Sequence, residues 1–204
     1  MQDSVRSGAV DWTGDNPFIY LKTDAQSGAW SSLSLYFRIA ISPHGAGQAM
    51  LVLEAPGVAR SDAVRLCLTD NAALARYLLD GFVKRFALFR TSTGIIDALE
   101  VVAGARFECQ DRGAESHVQT ATQPERGLTV TMGWQGLGRA FAVDMPPAQT
   151  QTGEHEMFSV FRPAQSAHVS VGGRRLPGQT AERDFFGGRA QSAALAFGES
   201  WVRA

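Results

Sequence analysis

The sequence predicts a mainly β protein, either an antiparallel β-barrel or a sandwich, with about ten strands and one amphipathic α-helix at about residues 70–88. Apolar and polar residues alternate with period two along most of the chain, which is typical of strands that bury one face. Twenty-one glycines fit the many turns that short strands require. Only one segment shows the longer period of a helix, so parallel βαβ units are not predicted.

The N-terminal part of the chain predicts a short lead-in followed by a hairpin. Residues 1–16 are expected to be loosely ordered, with Trp12 as an anchor, before a single barrel domain over residues 17–204. The segment LSLYFRIAI (33–41) indicates a half-buried strand, and the turn PHGAG connects it to a second strand, QAMLVLE (48–54). Weaker alternation predicts further strands at residues 18–22, 63–68, 105–109 and 116–120.

The helical segment, TDNAALARYLLDGFVKRFALF (69–89), is inserted between these strands. Residues 69–71 are of types that cap helix N-termini. Apolar side chains then recur about every fourth position, at Leu74, Leu78, Phe82 and Phe86. This spacing predicts an amphipathic helix whose apolar stripe packs on the core. Gly81 interrupts the helix at a cost of roughly 1 kcal/mol relative to alanine.

The C-terminal part predicts another group of strands joined by tight turns. LTVTMGW (128–134) and RAFAVDM (139–145) are separated by QGLG and are expected to pair as a hairpin. The glycine pairs in VGGRRLPGQ and FFGGRAQS indicate hairpin turns, because neither stretch matches a phosphate-binding motif. The remaining strands are predicted at EHEMFSVF (154–161), AHVSV (167–171) and SAALAFGESWV (192–202).

Composition argues against several classes of partner. Nineteen basic and twenty acidic side chains give a net charge of −1 without a basic patch, so neither nucleic acid nor an anionic membrane surface is an expected partner. No apolar run is long enough to span a bilayer. The polar N-terminal residues MQDSVRSGAVDWTG and the two cysteines, Cys67 and Cys109, predict a cytoplasmic protein.

The stretch GEHEMFSVF raises the question of a metal site or an acid/base pair. In an extended strand Glu154 and Glu156 share one face and His155 lies on the other, so one metal ion could not bind all three. No metal and no cofactor is therefore predicted. The two carboxylates either form an acid/base site, in which burial raises one pKa, or face water at the end of the strand.

Glu199 is the more informative carboxylate. In SAALAFGESWV one face of the predicted strand carries Ala193, Leu195, Phe197, Glu199 and Trp201, and the other face carries only small residues. A carboxylate in such a row must pair, take up a proton or reach solvent. Glu199 is thus either a polar anchor for a ligand or the partner of an arginine such as Arg38 or Arg189. The small-residue face would pack on the helix or on a second copy of the chain, which allows a homodimer.

Three C-terminal stretches, HEMFSVF, VSVGGRRLPG and SAALAFGESWV, resemble the last strands of lipocalin-like (calycin) β-barrels, a group whose bacterial members include carotenoid hydratase-like proteins. The resemblance covers about a third of the chain. The G-x-W signature of lipocalins is absent, since Trp30 follows Ala29. The resemblance implies a cup that can hold a small apolar molecule.

These patterns leave three functional hypotheses. The first is a binding protein that encloses a small hydrophobic molecule in a barrel cavity. The second is a metal-independent isomerase, cyclase or hydratase that uses Glu199, Glu154 or Glu156 as acid or base. The third is a solid barrel that serves as a structural or interaction module. The predicted ligand-binding residues are Tyr36, Arg38, Trp134, His155, Phe158, Phe197 and Trp201.

Overall fold

The computed structural model describes residues 10–58 and 60–203, and most of the regular structure in them is β-strand. The strands, in chain order, are β1 Val10–Asp15, β2 Phe18–Leu21, β3 Ser32–Ile41, β4 Gly47–Glu54, β5 Arg65–Thr69, β6 Glu100–Val102, β7 Arg106–Asp111, β8 Ser116–Gln123, β9 Leu128–Leu137, β10 Phe141–Met145, β11 His155–Val171, β12 Arg174–Arg175, β13 Glu182–Phe185, β14 Gly188–Gln191 and β15 Ala193–Arg203. The α-helices are α1 Ala72–Gly81 and α2 Thr93–Asp97, and 3₁₀ turns lie at Val83–Arg85, Arg90–Ser92, Pro124–Arg126 and Pro147–Gln149.

Most strands belong to one mixed sheet whose hydrogen-bonded order is β6-β5-β4-β3-β1-β15-β11-β9-β8-β7. The pairs along this path are antiparallel except β5–β6, which is parallel. The two ends of the path, β6 and β7, are consecutive in the chain, and the backbone N–H of Ala105 between them donates to the carbonyl of Thr69 at 3.0 Å. The sheet therefore bends back on itself, but among the described residues it does not close into the predicted barrel.

This bending gives the sheet two buried faces. We call the cluster enclosed by the bend the inner core; it brings strands from both ends of the path together, as where the ring of Tyr36 lies 5.9 Å from that of Phe107. We call the cluster on the opposite face the outer core; it lies under the helical segment, β10 and the β13–β14 hairpin. Strand β3 contributes to both, so it is not half-buried as predicted, although Ile41 at its end is 60% exposed.

The helical segment is shorter and more broken than predicted. Helix α1 begins after Asn71, whose side chain accepts a hydrogen bond from the backbone N–H of Leu74 at 3.1 Å, as expected of a cap. It ends at Gly81, where the backbone of Phe82 leaves helical geometry, and 3₁₀ turns and α2 follow instead of a continuous helix to residue 88. The predicted apolar stripe still faces the outer core.

The C-terminal strands differ from the prediction in their pairing. Strands β9 and β10 do not form a hairpin with each other; both pair with β11, which runs without interruption through two predicted strands. Tight turns are confirmed in both glycine-rich stretches, but in the second the turn residues are Phe186 and Gly187, and Gly188 already begins β14. Gly172 and Gly173 connect β11 to β12, and Phe186 and Gly187 connect β13 to β14, all four with positive φ.

The N-terminal lead-in is also partly corrected. Residues 1–9 lie outside the described residues, but Val10–Asp15, expected to be loosely ordered, forms β1 between β3 and β15. Trp12 is fully buried in the outer core, in agreement with its predicted role as an anchor. Within the described residues, no helix combines the length and the apolar character needed to cross a membrane.

Candidate functional site

A β-bulge at Gly198 determines where Glu199 points. Phe158 of β11 pairs with Ser200, but Val160 pairs with Phe197, so β15 carries one extra residue at this place. Gly198 takes up the extra length with a φ of +57°, and its N–H donates to Oδ1 of Asp15 at 3.1 Å. Residues before the bulge keep the predicted alternation, and those after it are shifted to the opposite face.

The predicted face of β15 is therefore wrong in one respect. Leu195 and Phe197 pack in the inner core, whereas Glu199 and Trp201 lie on the outer face of the sheet. The small residues Ala194 and Ala196 are buried in the outer core of the same chain, in line with packing on the helical segment.

Glu199 is a buried carboxylate whose hydrogen bonds come from neutral donors. Its side chain accepts from Nε1 of Trp201 at 2.7 Å and from Nδ2 of Asn16 at 3.2 Å, and the residue is 4% exposed. Burial raises the pKa of Glu199 from 4.5 to about 7, because these donors only partly replace lost hydration. The Ser159 hydroxyl is close enough to lower that pKa, but it forms no hydrogen bond of normal geometry with any described residue.

The alternative of an ion pair for Glu199 is corrected by the structure. Arg38 pairs with Asp15 and Arg189 pairs with Glu182. Arg38 supports the bulge indirectly. It pairs with Asp15, and Asp15 also accepts the N–H of the bulge residue Gly198.

Glu199 lines a pocket of about 100 Å³ between the sheet and the segments that cover its outer face. Aromatic and methionine side chains form most of its wall: Phe18, Tyr20, Phe86, Phe89, Met145, Met157, Phe161, Phe185, Phe186 and Trp201. The pocket opens to solvent at a rim that includes the exposed residues Ala87 and Gln151. The side chain of Gln151 accepts a hydrogen bond from the backbone N–H of Ala87, which joins the two sides of the rim.

The β13–β14 hairpin brings a cation to the same pocket. Arg183 of β13 lies over the rings of Phe185, Tyr20 and Phe18, with its guanidinium carbon 4.8, 5.3 and 5.4 Å from their centroids. Nη1 donates to the carbonyl of Asp184 at 3.3 Å, while Nε is buried without a hydrogen-bond partner among the described residues. Burial lowers the pKa of Arg183, although a guanidinium keeps its proton at physiological pH.

The predicted residues of GEHEMFSVF lie elsewhere. Glu154 is exposed and forms ion pairs with Arg85 and Arg203, which lower its pKa. Glu156 lies on the face of β11 opposite His155 and Met157, and neither carboxylate lines the pocket. His155 is buried against the rings of Phe82 and Trp201 and bridges Asp11 and Thr152, at 2.6 and 2.9 Å, so it holds the start of β11 in place.

Among the other predicted ligand-binding residues, Trp201 lies in the pocket wall beside Glu199. Trp134 is fully buried in the inner core and donates from Nε1 to the carbonyl of Phe18 at 3.1 Å. Tyr36 and Phe197 also pack in the inner core, and Phe158 is 45% exposed on the face of β11 that lies away from the pocket. The structure thus brings Glu199 and Trp201 together in the pocket, with His155 packed on Trp201 outside the lining, and the other predicted residues do not line the pocket.

Sequence reasoning missed the residues that complete the pocket, chiefly Arg183, Tyr20 and the phenylalanines of the helical segment and the hairpin. One signal was present: ERDFF places Arg183 two positions before Phe185, hence on the same strand face, next to a tight turn. The approach of this hairpin to β2 and β15 is a tertiary contact that no local pattern encodes.

The described residues contain no group of three His, Cys, Asp or Glu side chains arranged to hold a metal ion. In comparisons with known proteins, no family model, no curated protein and no solved structure matches this chain. The resemblance to lipocalin-like barrels stays a prediction.

Proposed function

We propose that the protein binds a small, mainly apolar molecule in the pocket on the outer face of the sheet, with Glu199 as a polar anchor. The observation that carries this proposal is a buried carboxylate held by neutral donors at the wall of an aromatic pocket. Burying a carboxylate without a charged partner lowers the stability of the fold. In small-molecule sites, a few polar groups among apolar and aromatic walls fix the orientation of the ligand.

The packing of the molecule favours this pocket over the interior of the bent sheet. Trp134, Met132 and Met50 fill the inner core and are fully buried, whereas the outer pocket reaches solvent. At about 100 Å³ the pocket is smaller than the protein cavity of roughly 150 Å³ that binds benzene, so it limits the ligand to a single ring or a short chain with part of its body in the open rim. The proposal therefore moves the ligand site predicted inside a barrel to the other face of the sheet.

A second candidate function is acid/base catalysis in the same pocket. A carboxyl group whose pKa is about 7 can both donate and accept a proton near neutral pH, as an isomerase, cyclase or hydratase requires. Once a substrate is found, Glu199→Gln should lower kcat by about 10²-fold or more with little change in KM. An unchanged kcat would exclude catalysis by Glu199 and leave the binding function.

Binding can be tested with benzyl alcohol, which combines one ring with a hydroxyl donor for Glu199. The indole N–H of Trp201 is a built-in reporter because it donates to Glu199, and its NMR signal should shift saturably as benzyl alcohol is added. The Trp134 indole N–H, held in the inner core, should not move.

A pair of variants locates the site. Ala87→Trp places a large ring at the exposed rim and should weaken binding of benzyl alcohol about tenfold or more. Ala98→Trp is the matched control, because Ala98 is exposed at the end of α2 and does not line the pocket. The absence of a saturable shift, or equal affinity in both variants, would contradict the proposed function.

A further inference from the structure

The pocket contains two groups of opposite charge that do not neutralise each other. Arg183 and Glu199 both line it, yet among the described residues no ion pair joins them. Glu199 is hydrogen-bonded to Trp201 and Asn16, and the guanidinium of Arg183 lies among three aromatic rings. A largely buried charge is normally paired, because its lost hydration is not otherwise replaced.

The two groups differ in whether they can become neutral. Glu199 can become neutral by taking up a proton, since its pKa is near 7. Arg183 has no such route, because a guanidinium does not release its proton in proteins. The charge that persists in the pocket is therefore positive. The Nε of Arg183 has no hydrogen-bond partner among the described residues.

We infer, on the basis of the proposed binding function, that the ligand is a small monocarboxylate with an aromatic or aliphatic body, whose carboxylate binds the guanidinium of Arg183. The planar fork of a guanidinium matches a carboxylate with two parallel hydrogen bonds. The phenylalanine walls would hold the apolar body. A doubly charged phosphate fits less well, because it would place more negative charge beside Glu199 in an apolar pocket.

Three probes of similar size separate charge from shape: benzoate, benzyl alcohol and benzylamine. At pH 6, where Glu199 is mostly neutral, we expect benzoate to bind the wild-type protein about tenfold more tightly than benzyl alcohol, and benzylamine to bind most weakly. Arg183→Gln should lower the affinity for benzoate about tenfold relative to the affinity for benzyl alcohol, so that the ratio of the two affinities falls to about one. Arg183→Lys keeps the charge and should retain part of the preference, which separates a lost charge from a misfolded hairpin.

Arg189→Gln is the matched control, because Arg189 lies on the same hairpin, is exposed and pairs with Glu182 outside this pocket. It should bind benzoate as the wild type does. If benzyl alcohol or benzylamine binds more tightly than benzoate, or if Arg183→Gln keeps the benzoate preference, the inference is overturned while the proposed function stands. If none of the three probes binds, the proposed function fails with it.

The pH dependence of benzoate affinity tests the inference without a substitution at Arg183. Benzoate stays ionised between pH 6 and pH 8, so its affinity should rise as the pH falls and Glu199 becomes neutral. The other titratable or charged groups around Glu199 are Asp15 with Arg38, Tyr20, Arg183, and His155 on the far side of Trp201. In Glu199→Gln, benzoate should bind at pH 8 as tightly as it binds the wild type at pH 6. A pH dependence that persists in this variant would overturn the inference.

Discussion

Glu199 costs the fold stability as the pH rises, because its ionised form is less well solvated in the folded chain than in the unfolded chain. The folded pKa is about 7 and the ordinary value is 4.5, so between these values the folded state binds a proton that the unfolded state has released. The stabilising contribution of the protonated carboxyl is fully present below pH 4.5 and is lost as the pH rises through 7.

Replacing this carboxyl by an amide should therefore change the pH profile of stability. Between pH 5 and pH 8 the free energy of unfolding of Glu199→Gln should rise, relative to that of the wild type, by roughly 2 to 3 kcal/mol. Urea unfolding at the two pH values measures it. Glu154→Gln is the contrasting control, because the ion pairs of Glu154 lower its pKa and its removal should bring no gain at high pH. A pH-independent difference for Glu199→Gln would contradict a buried, proton-binding Glu199.

Two glycines define how the elements near the pocket end or turn. Gly198 has a positive φ and carries the bulge that directs Glu199 outward, whereas Gly81 is the last residue of α1. An added Cβ at either position would meet no atom within 4 Å. Substitution by alanine therefore tests backbone conformation rather than packing.

The two alanine variants should have opposite effects. Gly198→Ala should lower the free energy of unfolding by about 1 kcal/mol, because an L-residue is strained in the left-handed region. Gly81→Ala should raise it by up to about 1 kcal/mol, because alanine favours the helical conformation. Denaturant unfolding of both variants measures these changes. Equal effects would mean that the bulge imposes no conformational demand.

Strands β11 and β15 show how far the sequence predicts the structure. Alternation located most of the strands and placed His155 on the face opposite Glu156, because successive side chains of a strand point to opposite faces. It failed at Gly198, because one inserted residue moves every later side chain of the strand to the opposite face of the sheet. Nothing in the residue types of the segment signals this insertion. Glu199 was identified from its apolar neighbours, but Arg183 was not, because its partners come from β2 and from across a hairpin.

At the scale of the whole molecule, a sheet with two packed faces should protect its centre from chemistry that reaches its edges. Cys67 of β5 is buried in the outer core, and burial raises the pKa of its thiol to about 12. Cys109 of the edge strand β7 is exposed. The apolar, strand-like segments around both cysteines predict small buried thiols. For Cys109 this prediction is wrong, because its edge strand leaves one side to solvent.

Thiol labelling should resolve the two cysteines. In the folded protein a disulfide reagent such as 5,5′-dithiobis(2-nitrobenzoate) should modify Cys109, and Cys67 should react only when the sheet opens. Cys109→Ser should leave almost no reactivity until denaturant is added. Rapid labelling of the folded Cys109→Ser variant would show that the outer core opens locally, and it would contradict the tight packing around Cys67.

The strand built from the last residues of the described chain, β15, lies in the middle of the sheet, between β1 and β11. During synthesis β1 and β11 therefore each lack one hydrogen-bonded neighbour until β15 has been made. The insertion of β15 between them joins segments that are remote in sequence. The pocket, which depends on Glu199 and Trp201 of this strand, can form only after β15 has been synthesised.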